Sequence, residues 1–352
     1  MRRAVDEAMA DHDRIIEWLL EPDNPPVRYL TLTQLLGRPL TDTEVRSAKA
    51  SLGDYEVTRG ILSRLDEFLG DDEGSYHKYS GKYWQLIFLG QFLASGDDPR
   101  VRRLAEDVLS KPKWVSNAGG HCLTANILAA ATRLGFGKHP VVQAQTEALA
   151  QRINAEGGVQ CAAMDYSLLP RCHMAQPKAL LCLVQVAPKA RSTAVRSAIK
   201  LLVNNLLAHE VFVYVPGHRK QWLKVLERQP RATDLPKGET VKRWISRQRE
   251  DFLTRHGFGA REPKAGWLKF GFPLHYNSDI LEATYALALA GSCRAELLEK
   301  PLAVIREKQT NEGVWRMESS LNGKMLVDVE AKGKPSKWLT YFARYVLHHF
   351  ER

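Results

Sequence analysis

The chain has 352 residues, 44% of them apolar, and carries 50 Lys and Arg against 40 Asp and Glu for a net charge of +10. That is enough apolar material for a sizeable core, and the absence of any apolar run of about 18 residues excludes a helical membrane span. The first residues lack the apolar stretch of a secretory leader, so a cytoplasmic protein is expected. Five cysteines in a chain of this length do not make a disulfide framework and are expected as thiols or metal ligands.

In chain order, Val5 to Leu20 reads as an amphipathic helix stopped at Asp23-Asn-Pro-Pro26, where proline removes amide donors. A second helix is predicted from near Val27. The pattern stays helical to Leu69, with Thr41-Asp-Thr-Glu44 offering a capping box before Val45. Gly70-Asp-Asp-Glu-Gly74 then opens a loop that contains Tyr76, His77 and Tyr79.

From Trp84 a degenerate helix–turn–helix unit recurs. Gly81-Lys-Tyr-Trp84 leads into an apolar run that ends at Gly96-Asp-Asp-Pro99, and Gly120-His-Cys-Leu123 leads into a matching run that ends at Gly137-Lys-His-Pro140. Later units begin at Cys172-His-Met-Ala175, Asn277-Ser-Asp279 and Pro335-Ser-Lys-Trp338. The first helix of each unit is apolar nearly all round, as a helix buried on both sides must be. The second is amphipathic and opens on Pro99 or Pro140, where a missing amide costs nothing. Val195 to Leu207 and Ala295 to Glu307 repeat this second pattern. One such hairpin cannot bury its own apolar face, so the units are expected to stack into a solenoid or a closed helical array.

Residues 211–269 break the repeat and read as an insertion at one rim of a single domain that spans 1–352. Val211-Phe-Val-Tyr-Val215 is β-branched and aromatic, and between His218 and Lys269 fourteen Lys and Arg face six Asp and Glu, a local +8 of the total +10. Trp222, Trp244 and Trp267 are interleaved with these cations. Near the C-terminus, Asn322-Gly323 predicts a short β-hairpin, followed by a last helix over Lys337 to His349.

This pattern resembles the α/α toroid of the terpenoid cyclase and protein prenyltransferase β-subunit superfamily, in the manner of a stand-alone, bacterial-type, squalene-cyclase-like member. Gln309-Thr-Asn-Glu-Gly313-Val-Trp315 looks like the Gln-x3-Gly-x-Trp element of triterpene cyclases, and an earlier copy, Asn154 to Gln160, lacks the tryptophan. The resemblance implies an all-α fold of up to six hairpins in inner and outer rings around a cavity. The chain departs from the family in lacking the Asp-x-Asp-Asp string of protonating cyclases, and Pro170 stands where the resemblance implies a zinc-binding aspartate two residues before Cys172.

Several groups are candidates for chemistry. Cys122, Cys161, Cys172 and His173 are the expected ligands of a zinc ion, with His121, Asp165 or His275 as substitutes, because thiolate and imidazole suit tetrahedral zinc; buried cysteines in helix packing are the alternative. His275 and Asp279 are expected catalytic groups at a cavity mouth, although Ser278 or Asp279 could simply cap the helix that follows. Tyr83, Trp84 and Tyr276 are expected to offer aromatic faces to a substrate, and Arg219 and Lys220 to receive a diphosphate. The arm's charges could equally be a solvated face with pairs such as Arg247 with Asp251.

The expectation is a prenyltransferase-like or terpene-cyclase-like enzyme, zinc-assisted, acting on an isoprenoid or other long apolar substrate. The rival is a non-enzymatic binding protein whose zinc is structural and whose basic rim engages nucleic acid or another polyanion.

Overall fold

The computed structural model describes residues 13–71, 73–111, 114, 120–160, 168, 171–292 and 294–351. Among the described residues helices hold 62% and strands 3%, which fixes the all-α class.

The N-terminal part holds helix α1 over residues 13–19, then α2 (Pro25–Leu30), α3 (Thr43–Ala50), α4 (Glu56–Ser63) and α5 (Leu65–Leu69). Asn24 caps α2, whose first two residues are the paired prolines, so the segment expected only to stop one helix also starts the next. Asp42 rather than Thr41 caps α3: its carboxylate accepts from the amides of Glu44 and Val45 at 2.8 and 3.3 Å.

The repeated units follow as α6 (Lys82–Gln91), α7 (Pro99–Ser110), α8 (Gly120–Ala131), α9 (Pro140–Glu156), α10 (Gln176–Val184) and α11 (Thr193–Leu207). After the basic arm, formed by α12 (Arg219–Leu226) and α13 (Val241–His256), come α14 (Ile280–Leu289), α15 (Glu299–Glu307) and α16 (Lys337–Phe350). Every residue of α6 is buried, whereas α7 buries only Val101, Leu104, Ala105, Val108 and Leu109 on one face. The apolar pattern therefore sorts the helices into two layers. In the inner layer α6 packs on α8, α8 on α10, α10 on α14, α14 on α16, and α16 on the 25–35 segment. In the outer layer α7, α9, α11 and α15 lie on α6, α8, α10 and α14 respectively.

Close approach within the inner layer depends on one glycine. A Cβ on Gly90 would sit 2.6 Å from both Cα and Cβ of Ala130, so α6 and α8 touch backbone to backbone there.

The Gln309–Trp315 element acts as a clasp between layers. Gln309 Nε2 donates to the carbonyl of Gly313 at 3.1 Å, and the indole of Trp315 donates to the carbonyl of Ile305 on α15 at 2.7 Å. Gly313 adopts φ +79°, which a side chain would resist. Trp114 makes a bond of the same kind three outer helices earlier, donating to the carbonyl of Val108 on α7 at 2.9 Å.

Two expectations about local structure are corrected. No strand forms at Asn322-Gly323, because side chains take the hydrogen bonds a hairpin ladder would use: Asn322 accepts from the Val329 amide and donates to the Glu330 carbonyl, and Asp328 accepts from the Gly323 amide. The two-stranded sheet lies instead at the base of the arm, where β1 (Val213–Pro216) pairs antiparallel with β2 (Arg261–Pro263). In the arm, Arg247 pairs with Glu239 and not with Asp251. Trp222, Ile245 and Phe252, with Leu168, form a small apolar core distinct from the main one. No helix among the described residues is long and apolar enough to cross a membrane.

Candidate functional site

Two voids lie inside the inner layer, on either side of the segment 271–275. The first, about 250 Å³, sits at the N-terminal ends of α10 and α14 and is lined by Lys264, Lys269, His275, Asn277, Ser278 and Asp279 over an apolar floor that includes Met174 and Trp267. The second, about 200 Å³, lies beside the C-terminal ends of α6, α8 and α10 and is lined by Phe272, Tyr285, Trp338 and Phe342 together with Arg133 and Gln185. Leu274 borders both. Its backbone is held by the side chain of Gln91, which donates to its carbonyl and accepts from its amide, each at 2.8 Å.

The two expected catalytic residues therefore share one void, but their environments limit what each can do. Asp279 caps α14, accepting from the Glu282 amide at 2.8 Å and, through its other oxygen, from the Gly271 amide at 3.0 Å. Burial, reinforced by the nearby Glu282 carboxylate, pushes its carboxyl up to about 7. His275 accepts the Asn277 amide on Nδ1 at 3.0 Å, and burial, with Lys178, Lys78 and Lys324 nearby, pushes its imidazole down to about 3. A neutral ring with Nδ1 accepting carries its proton on Nε2, so His275 is a hydrogen-bond donor at neutral pH and not a proton carrier.

Cations surround the same void. Burial lowers the Lys264 ammonium, with Arg219 acting in the same direction, and its Nζ lies 2.9 Å from the Met174 sulfur. Arg219 and Lys220 themselves are exposed at the start of α12. Beneath the void, Lys178 of α10 and Glu282 of α14 form an ion pair whose side chains are 0% and 1% exposed. Neither was singled out in the sequence, where each sits within an apolar helix; a charge in such a run was the available signal.

The aromatic residues expected to face a substrate pack among themselves. Trp84 contacts Tyr276 and Tyr79 edge to face, with centroids 4.9 and 4.8 Å apart, and the Tyr276 hydroxyl bonds to that of Tyr76 at 3.0 Å. Tyr83 and Trp84 are core residues, 3% and 0% exposed, and border neither void.

The zinc expectation is overturned. Among the described residues no group of three or more His, Cys, Asp or Glu is placed to hold a metal ion. His173 has both ring nitrogens engaged, Nε2 donating to the Val211 carbonyl at 2.6 Å and Nδ1 lying 3.2 Å from Gln176 Nε2. Burial pushes this imidazole down to about 3, and its ring stacks on Trp267. Cys122 and Cys172 are buried in different surroundings: the Cys122 thiol acts on Tyr276, and that of Cys172 on Tyr214 and Lys264. Arg152 lies 3.4 Å from the His121 ring. Cys161 and Asp165 lie outside the described residues.

No protein-family model matches the chain, and neither a curated protein nor a solved structure matches it.

Proposed function

We propose that the hairpins close as an α/α toroid and that the void beside α14 takes a small apolar molecule with a phosphate or diphosphate head, as a metal-free prenyltransferase-like or terpene-cyclase-like enzyme would. The observation that carries this reading is the presence of Lys264, Lys269 and the neutral His275 on the lining of one void of about 250 Å³. Cations and a neutral donor complement phosphate oxygens, while the opposing charge of Asp279 is reduced because burial and the nearby Glu282 raise its carboxyl to about 7. The substrate is short: the void falls below the roughly 300–1,000 Å³ of pockets that hold drug-sized ligands. The expected long isoprenoid is thereby narrowed to a chain of one or two prenyl units.

Calorimetric titration with dimethylallyl and geranyl diphosphate tests the proposal. Saturable binding is expected, at least tenfold weaker in Lys264→Ala/Lys269→Ala. Absence of binding to the unaltered protein, or equal binding by the double variant, refutes it.

A second reading concerns the arm. Lys220, Lys224, Arg228 and Arg231 are exposed in it and suit a polyanion such as nucleic acid. Retention on duplex DNA or RNA that falls steeply with salt supports that reading, and indifference to both polymers removes it.

A further inference from the structure

The second void contains a charge that the protein leaves uncompensated. Arg133 stands in the turn that ends α8, and it borders this void together with Phe272, Tyr285, Trp338 and Phe342. Its guanidinium makes no ion pair or hydrogen bond to the described residues. Burial lowers it from the ordinary arginine range. The carboxylate that acts on it, Glu282, is already paired with Lys178.

Arg133 is half-buried, and an ionised group partly withdrawn from water gains from a partner of opposite charge. Arginine cannot dispense with that partner by losing its proton at neutral pH. The surroundings supply neutral polar groups only. Tyr341 donates to Gln34 Oε1 at 2.7 Å and shares a hydrogen bond with Tyr285, while the Gln185 amide has no partner among the described residues. The rest of the wall is apolar, with Leu30, Leu93, Val184 and Leu289 beside Phe272 and Trp338, which stack at 4.1 Å.

We propose that this void is a binding site for a small monocarboxylic acid with an aromatic or short aliphatic body, its carboxylate paired to Arg133 and its body against Phe272, Trp338 and Phe342. A planar carboxylate matches the guanidinium fork in a two-bond contact. One cation among neutral amides balances a single negative charge, which favours a carboxylate over a phosphate dianion. A volume of about 200 Å³ exceeds the roughly 150 Å³ that accommodates benzene. The site is separated from the lysine-lined void by Leu274, so it does not depend on what that void binds.

The experiment compares phenylacetate with phenylacetamide, which has the same shape without the charge, by calorimetry on the full chain. The acid is expected to bind at least tenfold more tightly, and hexanoate to compete with it. Arg133→Met is expected to abolish the preference for the acid. Equal affinity for acid and amide, binding of neither, or acid preference retained in Arg133→Met overturns the proposal. The acid–amide comparison needs no variant, so a misfolded Arg133→Met leaves the test decisive. Stronger binding of inorganic phosphate than of phenylacetate assigns the site to another anion and overturns it as well.

Discussion

Gln91 grips Leu274 at both backbone atoms, donating through Nε2 and accepting through Oε1, each at 2.8 Å. A side-chain amide here imitates a strand partner, and it fixes the wall between the two voids. Gln91→Leu leaves the Leu274 amide and carbonyl without these partners, at roughly 1–3 kcal/mol for each group that stays dry. Urea denaturation is expected to show the loss, with weaker ligand binding in both voids.

Lys178 and Glu282 are each almost wholly enclosed. Lys178→Met strands a buried carboxylate and is expected to cost about 3–5 kcal/mol, while Lys178→Met/Glu282→Leu restores most of it, because exchanging both ions for apolar groups removes two desolvation costs together. Chemical denaturation of both variants checks this; a double variant no better than the single one contradicts it.

Asp279 gives a pH signature of known sign. Its native carboxyl is raised from 3.8 to about 7, so between those values the folded state holds a proton that the unfolded chain has released. The contribution of this residue to stability is then greatest below about pH 4, declines as pH rises, and levels off above about pH 7. Asparagine also caps helices, so Asp279→Asn is expected to remove this decline while keeping α14 intact. The quantity to measure is the difference between the two stability–pH curves.

The two buried imidazoles behave in the opposite sense. His173 and His275 are lowered from 6.5 to about 3, so their contribution is complete above about pH 6.5 and is lost as pH falls through that window. Their ring resonances in NMR spectra are expected to stay unshifted from about pH 8 to 5, whereas an exposed histidine titrates there.

Prolonged dialysis against a strong chelator is expected to leave the melting temperature unchanged and to release no stoichiometric zinc. Loss of structure on chelation would reinstate a metal site.

The helical hairpins were legible because proline at a first helical position and all-round apolar runs both follow from backbone and burial rules that act locally. Asp279 was legible as a cap on the same grounds. Arg133 was not, since an arginine near a helix C-terminus is expected to complement the dipole in water, and only packing brings Tyr285 of α14 and Tyr341 of α16 beside it. The zinc reading failed because neighbouring His and Cys in the chain say nothing about side-chain direction: His173 turns to the Val211 carbonyl, and Cys122 and Cys172 meet different partners. The Asn322-Gly323 signal failed where Asn322 and Asp328 side chains outcompeted strand pairing.

Trp222, Ile245 and Phe252 give the basic arm a hydrophobic centre of its own, distinct from that of the helical layers. Mutation can therefore redraw the arm's electrostatic face without disturbing the packing that shapes the voids. Descendants of this chain are free to change what they dock against while conserving what they enclose.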